Sequence, residues 1–138
     1  MTQTHILFPV IALAALTFAV GIRMGILRVR AVRAGELRVN YFKYNSGAEA
    51  PDYLKNVSNN YQNLLEIPIL FYLVSVLIFV TNNVDMIYVA LAWAFVVTRY
   101  IHSYIHITSN KVLSRRKPFI LGLLILMIIW IRFTIDLI

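Results

Sequence analysis

YQNLLEIPILFYLVSVLIFVTNNVDMIYVALAWAFVVTRYIHSYIHI, running from Tyr61 to Ile107, reads as two membrane-crossing helices joined by a tight polar turn. The runs Tyr61 to Val80 and Val84 to Ile107 are each close to the ~20 apolar residues that cross a hydrocarbon core. The Thr81, Asn82, Asn83 turn between them carries no charge. On either side lie two more runs of the same kind, Ile6 to Leu27 and Phe119 to Ile138. The expected fold is therefore an all-α integral membrane protein, a four-transmembrane-helix up-down bundle forming a single domain over residues 1–138. One connection of real length, about residues 28–60, joins the first span to the second. Composition agrees, because 60% hydrophobic and 14% charged residues leave too little polar surface for a soluble globule.

The formal net charge of +7 is not a nucleic-acid signature. Lys and Arg lie beside the spans rather than on a soluble domain, so they read as topology signals and lipid-headgroup contacts. No Lys or Arg precedes the first span, whereas Arg23, Arg28, Arg30, Arg33 and Arg38 close it or follow it. That order differs from a cleaved signal peptide, whose basic region comes first, so the first run is expected to be a retained span. Lys43 and Lys55 add to the first loop, and Lys111, Arg115, Arg116 and Lys117 fill the third. The bias toward positive cytoplasmic loops places loops 28–60 and 108–118 in the cytoplasm and both termini outside. With no cysteine there is no disulfide, no thiolate metal site and no cysteine nucleophile.

Start and stop signals refine the spans. Ser58, Asn59 or Asn60 is expected to cap the second helix, and Asn82 or Asn83 the third, with Asp85 in its first turn. Ser114 and Pro118 mark the opening of the fourth. Pro68 is expected to kink the second. Gly35, Gly47 and Pro51, with Tyr41, Phe42, Tyr44 and Tyr53, suggest an interfacial segment in the long loop.

Ionisable groups inside spans are costly, so Glu66 and Arg99 require an explanation. At about 100° per residue, Asn59, Gln62, Asn63 and Glu66 share one arc of the second helix, as do Arg99, His102, Ser103, His106 and Asn110 on the third. Glu66 lies ~10 Å from the cytoplasmic start of its helix and Arg99 ~12 Å from the end of its own, so the two stand at one level. An ion pair between Glu66 and Arg99 inside the bundle follows as an expectation. It can be read as a register-fixing salt bridge, or as part of a site for a polar zwitterion, with Glu66 for an amine and Arg99 for a carboxylate.

These residues resemble a known family. Asn63-Leu64-Leu65-Glu66, followed by Ile67 and Pro68, is similar to the Asn-x-x-Glu motif and nearby proline of the MAPEG family, the membrane-associated proteins in eicosanoid and glutathione metabolism. Arg99-Tyr100-Ile101-His102-Ser103, with His106, Asn110 and Arg115 beyond, resembles the third-helix signature and downstream arginine of microsomal glutathione transferases and prostaglandin E synthases. The resemblance covers essentially the whole chain. It implies a homotrimer embedded in membrane lipids that binds glutathione as co-substrate between subunits. Asn63, Glu66, Arg99, His102 and His106 would be glutathione-binding residues, and Arg115, with Arg116 as second choice, the thiolate-stabilising one. The chain departs from the family where Asn59 replaces an arginine and His106 a tyrosine.

Two function classes follow. One is an integral membrane glutathione-dependent transferase or peroxidase acting on lipophilic electrophiles. The alternative is a non-catalytic membrane protein whose polar stripe binds a lipid or small molecule or holds an oligomer together. No metal is expected, because His102 and His106 at i and i+4, even with Glu66, are a weak ligand set. Arg132 and Asp136, also at i and i+4, are expected to pair near the outer boundary.

Overall fold

The computed structural model describes residues 2–44, 49–109 and 111–138. Gly47 and Asn110, part of the loop and stripe expectations, lie outside them. A 3-10 turn, Gln3–Ile6, opens into α1 (Leu7–Arg33). The one-turn α2 (Tyr41–Tyr44) follows, then α3 (Asp52–Val80), α4 (Met86–Ile107) and α5 (Val112–Asp136). Four helices are long and apolar enough to cross a membrane: α1 with its 3-10 turn, α3, α4 and α5.

The helices outrun the apolar spans. α1 continues through its arginines to Arg33, α3 opens at Asp52 rather than near Asn60, and α5 opens at Val112 rather than at Phe119. At 1.5 Å per residue the 29 residues of α3 rise about 43 Å, well beyond a ~30 Å hydrocarbon core, so its polar first turns exceed what a span requires. The expected caps shift accordingly. Pro51, which fixes its own φ and needs no donor, holds the cap position of α3 in place of Ser58, Asn59 or Asn60. For α4 the cap is Asp85 itself, whose carboxylate accepts from the Tyr88 amide at 2.9 Å, and not Asn82 or Asn83. Ser114 and Pro118 sit inside α5, and α3 continues through buried Pro68 as one helix.

Asn82 instead ends α3. It adopts φ +58°, donates to the Phe79 carbonyl at 3.2 Å, and is followed by Asn83 donating to Ile78 at 3.1 Å. Gly35 ends α1 by the same left-handed device at φ +74°, with bonds from Gly35 to Val32 and from Glu36 to Ala31, both 3.0 Å.

α3 and α4 form the centre. α1 packs on both, α5 packs on both, and among the described residues α1 and α5 do not meet. Phe71 of α3 stacks on Phe95 of α4 with ring centroids 4.7 Å apart, and Leu13, Val74, Ile78, Tyr88 and Ile129 fill the same core. The outward faces remain apolar, as lipid contact requires; Phe18, Ile69 and Ile131 are all more than half exposed.

One end of the bundle gathers the N-terminus, the α3–α4 turn and the C-terminus. Gln3 donates to the Asn82 carbonyl and accepts from the Val84 amide, each at 3.2 Å. Arg132 pairs with Asp136 at 3.7 Å, as its spacing suggested, but bonds more closely and bidentately to the α4 cap Asp85. Asp136 in turn accepts from the Tyr88 hydroxyl at 2.5 Å. The opposite end carries the basic loops.

Candidate functional site

α4 presents its polar residues inward. Arg99, His102, Ser103 and His106 recur every three or four residues and are all buried, facing α3 on one flank and α5 on the other. Toward α3, Ser103 accepts from the Asn60 amide nitrogen at 2.7 Å. Toward α5, Arg99, only 1% exposed, lies between the rings of Phe95 and Phe119, its guanidinium carbon 5.1 and 5.2 Å from their centroids. Its Nη2 donates to the Phe119 carbonyl at 2.9 Å, and its buried Nε has no partner. Space for the guanidinium comes from Gly122, where an added Cβ would overlap both the Arg99 head and the Thr98 hydroxyl.

One turn nearer the basic end, Arg115 ties the two histidines together. Its carbonyl lies 2.9 Å from His102 Nδ1 and its Nη1 lies 2.9 Å from His106 Nε2. A carbonyl only accepts and a guanidinium only donates, so the tautomers follow: His102 carries its proton on Nδ1, and a neutral His106 accepts at Nε2. That leaves His102 Nε2 as a buried acceptor and His106 Nδ1 as a buried donor, both without partners. The imidazole centroids are 5.7 Å apart.

The Glu66–Arg99 pair within one chain is overturned. Glu66 is exposed and accepts from Gln62 at 3.0 Å, while Arg99 turns toward α5; among the described residues no carboxylate reaches Arg99. Equal depth alone does not bring the two together, because rotation about the helix axis decides contact. The face of α3 that meets α4 is set by Asn60, Leu64 and Phe71, and Glu66 lies about 120° around the helix from Asn60. Asn63 is half-buried between the two faces, and Gln62 and Asn59 share the exposed one with Glu66.

Of the two arginines opening α5, Arg115 is half-buried against His106 and Arg116 is exposed. The metal alternative would need Glu66 beside the imidazoles. Glu66 is elsewhere, and no cluster of three His, Asp or Glu suited to a metal ion occurs among the described residues. Asn60, expected only as a candidate cap, joins the site through Ser103, and Phe119 and Gly122 join it through Arg99 without having been expected there. The lone glycine in the apolar run of α5 was the available signal for Gly122.

Among the described residues the arrangement is a buried cation with no anion beside it, next to a second cation held by a neutral imidazole. Such a site can receive a carboxylate and lower the cost of a nearby negative charge. In comparison with known protein families, residues 6–135 match the MAPEG family. No curated protein and no solved structure matches the chain.

Proposed function

The chain belongs to the MAPEG family, and from that membership we propose that it is an integral membrane glutathione-dependent transferase or peroxidase acting on lipophilic electrophiles. The observation that carries this reading is Arg99. A guanidinium buried to 1% exposure, with an unused Nε and no carboxylate among the described residues, is expensive unless a ligand or a neighbour supplies the anion. In the proposal Arg99 receives a glutathione carboxylate, with His102 and His106 beside it, and Asn63 and Glu66 bind the amine side.

Glu66 supports assembly as well. It stands with Gln62 among exposed Leu65, Ile69, Leu70 and Leu73 on a helix long enough to cross the membrane, where lipid is a poor neighbour for a carboxylate. A homotrimer that lays this face of α3 against a second copy would shelter it and join it to that copy's arginines. The basic loops face the cytoplasm and both termini face outward in this reading.

Arg115 is the proposed thiolate-stabilising residue. A free thiol near pKa ~8.5 is mostly protonated at neutral pH, and an adjacent guanidinium lowers that value and enlarges the thiolate fraction. His106 supports the role, because its hydrogen bond to Nη1 fixes where the guanidinium points. The thiolate sulfur then forms a C–S bond as a halide leaves. With a hydroperoxide it attacks the terminal oxygen, the O–O bond breaks to give the sulfenic acid and an alkoxide that takes up a proton, and a second glutathione thiol condenses with the sulfenic acid to form the disulfide with loss of water.

Ultraviolet absorbance of glutathione thiolate, titrated into detergent-purified protein, tests the reading. Wild type should form thiolate. Arg115→Ala should form about tenfold less, corresponding to roughly one pKa unit. Glu66→Gln should require more glutathione to reach the same signal. Absence of both thiolate and binding at millimolar glutathione in wild type would sink the proposal.

A further inference from the structure

On the side of α4 away from α5, at the basic end, a cavity of about 430 Å³ opens between α1, α3 and the end of α4. Arg23 and Arg30 of α1 border it, with Glu36, Tyr53, Asn56 and Thr108 across from them. The two arginines are seven residues apart, two turns on one helix face and about 10 Å in rise, so both heads can converge on one group. Neither side chain makes an ion pair or hydrogen bond among the described residues. Glu36 is engaged, since its carboxylate accepts from the Tyr53 hydroxyl. Two guanidiniums and one carboxylate leave the cavity with a net charge of one positive unit.

Below the cavity, toward mid-membrane, runs an apolar groove of about 250 Å³ between α1 and α4, lined chiefly by Leu16, Ala19, Val20, Tyr100 and Tyr104. The two spaces share Arg23 and Ile107 as lining residues and so adjoin each other along α1 and α4. The Tyr100 hydroxyl, donating to the Ala12 carbonyl at 2.8 Å, closes the deep end. From Arg23 to Leu16 the groove follows α1 for about 10 Å, most of a ~15 Å leaflet half-thickness.

A cationic pocket in the headgroup layer above an apolar furrow has the chemistry of an amphiphile site. The geometry points to an anionic glycerophospholipid as its occupant, with the phosphodiester between Arg23 and Arg30 and one acyl chain between α1 and α4. The single negative charge of a phosphodiester balances the cavity, and Glu36 faces a headgroup hydroxyl. This lipid lies on the α1 side of α4, whereas the Arg99 and Arg115 site lies on the α5 side, so the two proposals stand or fall separately.

Native mass spectrometry of the purified chain without glutathione tests the site, using phosphatidylglycerol, the diacylglycerol with the same acyl chains, and glycerol phosphate as probes. Wild type should retain phosphatidylglycerol and not diacylglycerol. The double variant Arg23→Gln/Arg30→Gln should weaken retention about tenfold, while Arg38→Gln, outside the cavity, should leave it unchanged. Ala19→Trp, which fills the groove and keeps both arginines, should also expel the lipid, so the outcome does not depend on how well the double variant folds. Retention at wild-type levels in the double variant or in Ala19→Trp overturns the proposal. So does displacement by glycerol phosphate at equal concentration, which would mark a free phosphate-ester site. The cysteine-free background gives one further check: self-cross-linking of Ala19→Cys between chains would put a second copy, not a lipid, in the groove.

Discussion

Arg99 and Gly122 are best considered together. The glycine exists in space the guanidinium fills, so Gly122→Ala should force the Arg99 head and the Thr98 hydroxyl aside and lower stability by about 1–3 kcal/mol. Arg99→Met keeps the aromatic sandwich and removes an uncompensated charge. It should leave the melting temperature within a few degrees of wild type or raise it, while abolishing the glutathione response. Combining the two should cost less than the sum, because they share a contact. Differential scanning fluorimetry with and without glutathione measures all three, and a large loss of stability in Arg99→Met alone would make that charge structural rather than functional. Much of this polar cluster was readable beforehand. The spacing of Arg99, His102 and His106 gave the stripe, and Arg115 followed from the resemblance. The direction in which Glu66 points was not readable, because rotation of α3 is set by what Asn60 and Phe71 meet on α4, and neighbouring sequence carries no mark of that.

Among elements, the α4–α5 junction at the end away from the basic loops offers the clearest test. Asp85 caps α4 and pairs with Arg132 of α5, while Asp136 takes the Tyr88 hydroxyl. The Arg132 guanidinium holds the Asp85 carboxyl below the usual carboxylate range, with the Tyr88 amide adding to the effect. A carboxyl depressed in the folded state gives its stabilisation in full above its unfolded value, roughly 3.9, and loses it as pH falls through the lower folded value. Asp85→Asn should therefore lower the melting temperature by a few degrees at neutral pH, in line with the ~1 kcal/mol of a cap, and flatten the acid limb of the stability profile. A wild-type limb as flat as the variant's would show that the clasp contributes nothing. The spans themselves were clear from hydropathy, yet helix ends were not. Hydropathy reads the bilayer rather than the helix, so Arg28 to Arg33 and Asp52 to Asn60 counted as loop although solvated charged residues continue helices readily.

For the molecule as a whole, the exposed carboxylate of Glu66 sets an expectation about assembly. Native mass spectrometry from detergent should find three copies of the 15.9 kDa chain, and Glu66→Leu should preserve the mass while weakening glutathione binding. A monomer in every detergent and lipid would remove the shelter that Glu66 needs. The order of the helices has another consequence, for synthesis. α4 is the least hydropathic of the four candidate spans, at 1.3 against 2.2 to 2.3 for the others, and it carries Arg99, whose sheltering carbonyl, ring and cleft belong to residues about twenty positions later in the chain. An arginine near the centre of an isolated helix costs about 2.5–3.5 kcal/mol on insertion scales. While the ribosome is still making α5, α4 therefore has no partner for its charge, and it should insert poorly until α5 arrives. Glycosylation mapping of truncated chains should show α4 slipping out of the membrane when the chain stops at Lys111 and holding when it reaches Asp136. The helix that carries the buried arginine is thus the one that depends on its successor to be in the membrane at all.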